Sequence, residues 1–263
     1  MYNCMPLNPH IIRLTVLLAL AFGVSASPTQ DPLAGTQLLT GRMIAIPAGS
    51  FLMGSDDARL AEKPVHRVNI DAFYLAETEV TQQQWRAVMG ENPARFKNCD
   101  SCPVEQVSWD DIQAYLKKLN DRTGRQFRLP SEAEWEYACR SGGKNENYCG
   151  GNRRHDLGWY LNNSGKQTHK VKQKKPNGLG LYDMSGNVSE WTQDCWNPDY
   201  DGAPSNGRPW LSGNCKERVL RGGSWNTFPA PGYMRSVLRF KHFTDSRSKV
   251  FGVRLAHDHS ADN

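Results

Sequence analysis

Past residue 26 the chain has no apolar run of the about 20 residues that a membrane-spanning helix needs. It has no internal repeat and no linker-like stretch between periodic segments, which excludes a solenoid array and predicts one domain within the 263 residues. It has no second Cys-x-x-Cys to complement Cys99 and Cys102, so a four-cysteine zinc site is excluded. Pro103 follows Cys102 directly, where a thioredoxin-like motif needs a helix. Charge of one sign is also scarce: 32 Lys and Arg stand against 27 Asp and Glu. The one basic stretch, KQTHKVKQKK from Lys166 to Lys175, has no interleaved aromatics. It reads as a solvated loop, and no nucleic-acid partner is expected.

Aromatics and turn formers are plentiful. Eight Trp support a real core, while 23 Gly and 15 Pro predict many turns and few long helices. At the N-terminus Arg13 precedes the apolar run LTVLLALAFGV, which ends in Val24-Ser25-Ala26. A basic start, a short apolar core and small residues at the end make residues 1–26 a signal peptide, cleaved after Ala26. No cysteine follows that point to carry a lipid, so no stable membrane anchor is expected after cleavage. Removal takes away one charge, Arg13, and lowers the net charge from +5 to +4. The expected location is periplasmic or secreted.

Cysteine usage agrees with export. Cys4 leaves with the signal, and six remain: Cys99, Cys102, Cys139, Cys149, Cys195 and Cys215. An even count in an exported chain predicts disulfides, with fifteen pairings open. The local pairs, Cys99–Cys102, Cys139–Cys149 and Cys195–Cys215, are preferred.

Residues 27–42 show no periodicity and read as a flexible leader. The domain is expected over 43–256, with 257–263 as a frayed tail; His257 and His259 fall in that tail rather than in a metal site. In MIAIPAGSFLMGS, Ile44 and Ile46 face Phe51 and Met53 across a Pro-Ala-Gly turn, as in a hairpin. Val68, Ile70, Phe73 and Leu75 alternate as strand residues. Three helix starts share one device, a hydroxyl followed three residues later by a residue that can cap back: Thr81 with Gln84, Ser108 with Asp111, and Ser131 with Glu134. Ile112, Tyr115, Leu116 and Leu119 form one helix face that belongs in the core. Short strands are expected in RVLRGGSW and VFGVRLA.

Four segments in this order, IPAGSFLMGS, RLPSEAEWEYACRSG, PNGLGLYDMSGNVSEW and RVLRGGSW with FGVRLA, resemble the formylglycine-generating enzyme, or sulfatase-modifying-factor, family over about residues 43–256. The resemblance implies an α+β fold, a C-type-lectin-like variant with little regular secondary structure. It also implies calcium held at LYDMSGNVSEW by the side chains of Asp183 and Glu190 and the carbonyls of Gly186 and Val188. Hard carboxylate oxygens and a glycine turn suit that ion.

The resemblance also exposes departures. Family members that oxidise a substrate cysteine to formylglycine use two cysteines, three and eight residues after the serine of RGGS. Here those positions are Thr227 and Gly232, so no catalytic residue carries over. A hydroxyl does not bind copper(I) or exchange with a thiol, so no copper is expected. Ser189 stands where the family commonly has Trp. Arg235, Arg239, Arg247 and Arg254 read as structural hydrogen-bonding arginines. The expected ligand cleft comprises Ser189, Ser224, Trp225, Asn226, Thr227, Phe228 and Tyr233. Its aromatics suit contact with an unknown protein or small-molecule ligand. The functional expectation is a binding or accessory module. The alternative is an atypical oxidoreductase of the pyoverdine-maturation type, with Glu190 or His242 as acid-base groups.

Overall fold

The structure is a computed structural model that describes residues 1–2, 32–57, 59–228, 230 and 232–259. The signal-peptide segment lies outside the described residues apart from its first two. The first described element is helix α1 (Pro32–Thr40), inside the segment expected to be a flexible leader. It is anchored from its C-terminal end: Leu39 packs against the core and its carbonyl accepts from Tyr115 Oη at 3.4 Å.

Strands β1 (Met43–Ile46) and β2 (Gly49–Met53) follow, but they do not form the expected hairpin. β1 pairs antiparallel with β4 (Phe73–Ala76), whereas β2 pairs antiparallel with β3 (His66–Ile70) in a separate two-stranded sheet. The Pro-Ala-Gly step therefore passes the chain between sheets. Its alternation is that of two half-buried strands, which by itself does not name their partners.

Helices α2 (Gln82–Met89), α3 (Trp109–Thr123) and α4 (Glu132–Cys139) begin where the capping pattern predicts. At each, the hydroxyl of Thr81, Ser108 or Ser131 accepts the third-residue N–H, and the Gln84, Asp111 or Glu134 side chain accepts in return. The α3 face of Ile112, Tyr115, Leu116 and Leu119 is buried as expected. α4 is different: all eight of its residues are buried. It runs through the centre of the molecule, so its three glutamates must be paired internally.

β5 (Phe127–Arg128) precedes α4, and the short α5 (Arg154–Leu157) follows it. β6 (Ser189–Trp196), β7 (Asn214–Arg221), β8 (Arg239–Phe243) and β9 (Phe251–Gly252) form one sheet in the order β8-β7-β6-β9, with β9 parallel to β6. β10 (Ala256–Asp258) lies between β4 and β5. The expected frayed tail therefore starts as a central strand, and the His257 ring stacks on Tyr74 at 4.5 Å. One core lies under β2, β3 and α4, around Phe51, Ile70, Trp135 and Met184. The other lies between α2, α3 and the four-stranded sheets, around Trp85, Tyr115, Trp191 and Leu255. The cysteines pair as Cys99–Cys102, Cys139–Cys149 and Cys195–Cys215.

Candidate functional site

The GNVSEW loop and the RGGSW segment meet through backbone hydrogen bonds. Gly186 N–H donates to Gly222 O at 2.9 Å, and Trp225 N–H donates to Asn187 O at 2.8 Å. The loop reaches this position with Asp183, Gly186 and Asn187 at φ of 59°, 95° and 56°. At Gly186 a side chain would collide with the Trp159 backbone, so the left-handed turn there requires glycine. Asn187 clips the loop to its neighbours: Oδ1 accepts from His169 N–H at 3.0 Å, and Nδ2 donates to Glu79 Oε2 at 2.8 Å.

The expected cleft residues divide into two sets. Ser189, Ser224 and Trp225 are buried; Asn226 and Phe228 are exposed, and Thr227 and Tyr233 are half-buried. Trp225 packs inward, with Nε1–H donating to Lys249 O at 2.9 Å and the Phe96 ring edge-on at 5.4 Å. Ser224 and Thr227 close a turn on one another. Ser224 N–H donates to Thr227 Oγ1 at 2.8 Å, and Thr227 N–H donates to Ser224 O at 2.9 Å. The hydroxyl at the first family cysteine position is thus engaged in its own turn. Gly232, at the second, adopts φ of 95°.

Beneath this surface three carboxylates, Glu79, Asp183 and Glu190, surround the guanidinium of Arg254, and all four residues are buried. Arg254 Nη2 and Nε donate to Glu190 Oε1 at 2.7 and 3.0 Å, and Trp135 Nε1–H donates to Glu190 Oε2 at 2.7 Å. Glu79 accepts from Val188 N–H at 3.0 Å. Burial, reinforced by the neighbouring Asp183 and Glu190, raises the Glu79 pKa well above the carboxylate range. Burial also raises Asp183 to about 6. Asp183 Oδ2 accepts from Lys172 N–H at 2.8 Å, while its buried Oδ1 has no hydrogen-bond partner. The expected calcium residues therefore differ in fit. Asp183 offers a free hard oxygen in a region with too few cations. Glu190 has both oxygens bonded to Arg254 and Trp135.

The acid-base candidates also fall differently from expectation. Glu190 is locked in that ion pair, and His242 is exposed on β8, its ring 5.1 Å from Phe251. Sequence reasoning passed over Glu105. It is fully buried; Oε1 accepts from Phe96 N–H at 2.9 Å and Oε2 has no partner. Burial raises its pKa to about 7. It lies one residue from Gln106, whose N–H donates to Ser248 O beside the Trp225 contact at Lys249. Nothing in the local sequence signals it, because a glutamate between Val104 and Gln106 looks like any strand-edge acid.

A mixed sheet cluster with an irregular second half, stitched by the GN and RGGS loops, is the architecture of the formylglycine-generating-enzyme fold, a C-type-lectin-like variant. Residues 30–259 match the sulfatase-modifying factor enzyme 1-like domain, and the chain belongs to that family. It is 31% identical to a protein called Chaperone protein LppX of Paenibacillus barcinonensis, over 80% of this chain and 86% of that one. Among solved structures, Treponema denticola variable protein 1 superposes with a TM-score of 0.76 at 31% identity, covering 82% of this chain and 94% of that one. PvdO from Pseudomonas aeruginosa superposes with a TM-score of 0.72 at 29% identity, with the same coverage.

Proposed function

We propose that this chain is an exported member of the family that grips a protein or small-molecule ligand on the face built by the GNVSEW loop and the segment after RGGSW, and does not oxidise a thiol. The observation that carries this reading is the chemistry at the two family cysteine positions. Thr227 gives a hydroxyl already bonded to Ser224 N–H, and Gly232 gives no side chain. Cys99, Cys102, Cys139, Cys149, Cys195 and Cys215 are spent in disulfides, so none supplies a thiolate. Three disulfides and the N-terminal signal pattern support an oxidising compartment, the periplasm or the exterior. Calcium is part of this reading. Asp183 Oδ1 with the carbonyls of Gly186 and Val188 would hold it, and the ion would offset the carboxylate excess around Arg254.

A second reading, an oxidoreductase of the pyoverdine-maturation type, draws support from Glu105. A buried carboxyl with a pKa raised to about 7, bonded to the backbone of Phe96 whose ring packs on Trp225, is suited to proton transfer. The test is to incubate the mature protein with copper and a sulfatase-derived cysteine peptide, reading the peptide by mass spectrometry and oxygen by electrode. Neither aldehyde nor oxygen uptake is expected. Aldehyde formation would end the first reading, and oxygen uptake with a small aromatic substrate would move the assignment to the second.

A further inference from the structure

The basic stretch of residues 166–175 has a place in the fold. Lys174 Nζ donates to His155 O at 2.8 Å, and Lys175 Nζ lies 3.3 Å from Asp156 Oδ2. Arg153 reaches the same carboxylate at 3.0 Å, so Asp156 is held by two cations. Arg154, between them in sequence, has no carboxylate partner among the described residues. Its Nη1 donates to Ala230 O at 3.3 Å, and its guanidinium lies over the Tyr160 ring at 5.0 Å. Arg154 lines a concavity of about 430 Å³ together with Tyr148, His155 and Tyr160. A second, of about 350 Å³, is lined by Arg140, Asn145, Glu146, Asn147 and Arg235, and Asn152 lines both. The groove so formed runs alongside the segment after RGGSW, because Ser236 N–H donates to Asn147 O at 2.9 Å and Leu161 N–H to Thr227 O at 3.2 Å.

We infer that this groove docks an acidic segment of a partner polypeptide, with a carboxylate seated on Arg154 between Tyr148 and Tyr160 and the chain passing Asn152 toward Asn147. Four arguments converge on that occupant. At the Arg154 end Arg153, Arg154 and Lys175 stand against the carboxylate of Asp156, while the far end carries Glu146 beside Arg140 and Arg235, which are paired with Glu136 and Glu62, so an anion is preferred at the Arg154 end. A guanidinium stacked on a ring keeps its edge N–H groups for a planar carboxylate. The asparagine amides each donate and accept, as a peptide backbone requires. Finally, Phe228 lies in sequence between the tethered residues Thr227 and Ala230 and is 62% exposed, an apolar contact that a leucine of a protein partner can cover.

The inference rests on the binding-module reading and can fail apart from it. The test is fluorescence anisotropy of the mature protein with a labelled oligoglutamate peptide that contains one leucine, at low and at physiological salt. Saturable binding that weakens with salt is expected, with the glutamine version of the peptide not binding. Arg154→Gln should weaken binding at least about tenfold, and Arg154→Lys should fall between it and the parent, because it keeps the charge and loses the planar fork. Phe228→Ser should cost about threefold. Lys117→Gln, at an exposed ion pair on α3, should leave it unchanged. Unchanged melting temperatures across these variants keep the comparison one of affinity. No binding, equal binding of the glutamine peptide, indifference to Arg154→Gln, or displacement by a hyaluronate oligosaccharide would overturn the inference. The aldehyde assay would stand unaffected by any of these.

Discussion

Two buried charge networks occupy the centre of this molecule, and they differ in balance. Around α4, the carboxylates of Glu132, Glu136 and Asp194 face the guanidiniums of Arg140, Arg221 and Arg239. The three arginines pair with the two glutamates, and Arg239 binds Glu132 through both Nε and Nη2 at 2.8 and 2.6 Å; Asp194 accepts only from the Glu132 and Trp210 N–H groups. Under the GNVSEW loop, three carboxylates share the guanidinium of Arg254, with Lys174 acting on Asp183 as well. In the first network both glutamates are ion-paired to arginines and act as scaffold, and the deficit is confined to Asp194, which has no arginine partner and is raised to about 7 by burial and by the neighbouring Glu132. An unbalanced network such as the second must acquire a proton or a cation, since uncompensated buried charge costs several kcal/mol. The raised pKa values of Glu79 and Asp183 and the free Oδ1 of Asp183 are the mark of that deficit. Both networks reach the candidate ligand face: Arg221 donates to Ser236 O and Val237 O in the segment after RGGSW, and Glu79 accepts from Val188 N–H in the GNVSEW loop.

The sharpest way to break the comparison is to remove one arginine from each network. Arg254→Leu deletes the one guanidinium amid three carboxylates and frees Ala76 O and Tyr182 O as well. A loss of about 3–5 kcal/mol is expected in chemical denaturation. Arg221→Leu leaves Arg140 and Arg239 in place, and a smaller loss of about 2–3 kcal/mol is expected. Equal losses, or a larger one for Arg221, would mean that balance is not what separates the two regions.

The same contrast explains what the sequence could and could not reveal. Local devices were legible: the hydroxyls of Thr81, Ser108 and Ser131 announce helices because a cap and its reciprocal partner lie three residues apart. The local disulfides and the buried α3 stripe were legible for the same reason. Long-range pairing was not. Ile46 and Phe51 look like facing strands of a hairpin, yet they belong to different sheets, because alternation fixes a strand's face and leaves its partner open. The tail after residue 256 looks frayed because its residues are polar, yet backbone pairing to Tyr74 and Phe127 holds His257 in a strand. Glu79 went unnoticed for the equivalent reason: it meets Val188 across 109 positions of sequence. Arg254 and Arg239 were read correctly as hydrogen-bonding arginines, but their partners came only from the fold.

Calcium sharpens the contrast at an intermediate magnitude. If the ion completes the unbalanced network, chelator-treated protein should melt lower than protein in excess calcium. The expected gain is about 2.7 kcal/mol at a hundred times the dissociation constant. Asp183→Asn should remove the calcium response while leaving the chelated protein as stable as the parent, because the amide can keep the Lys172 N–H bond and donate toward Glu79 or Glu190. A melting temperature indifferent to calcium in the parent would assign the deficit to protons instead.

The smallest effect concerns Glu105, which belongs to neither network. Its pKa in the folded protein, about 7, lies above the ordinary value of 4.5 because burial penalises the charged form. A group raised in this way contributes stability that is fully present below the unfolded pKa and is lost as pH rises through the folded one. Between about pH 4.5 and 7 the parent should therefore lose stability through Glu105 as pH increases. Glu105→Gln keeps an acceptor for Phe96 N–H and cannot ionise, so it should match the parent in acid. Above neutrality it should exceed the parent by about 1–2 kcal/mol, less than the full shift of about 3 kcal/mol, because the site relaxes and takes up water once the charge forms. Asp194, also raised to about 7, shifts both proteins alike and drops out of the difference. Denaturation midpoints across that pH range measure this difference. A flat difference would mean that the carboxylate is stabilised when charged, by the loop that presents Phe96 to Trp225, and would remove Glu105 as an acid-base candidate.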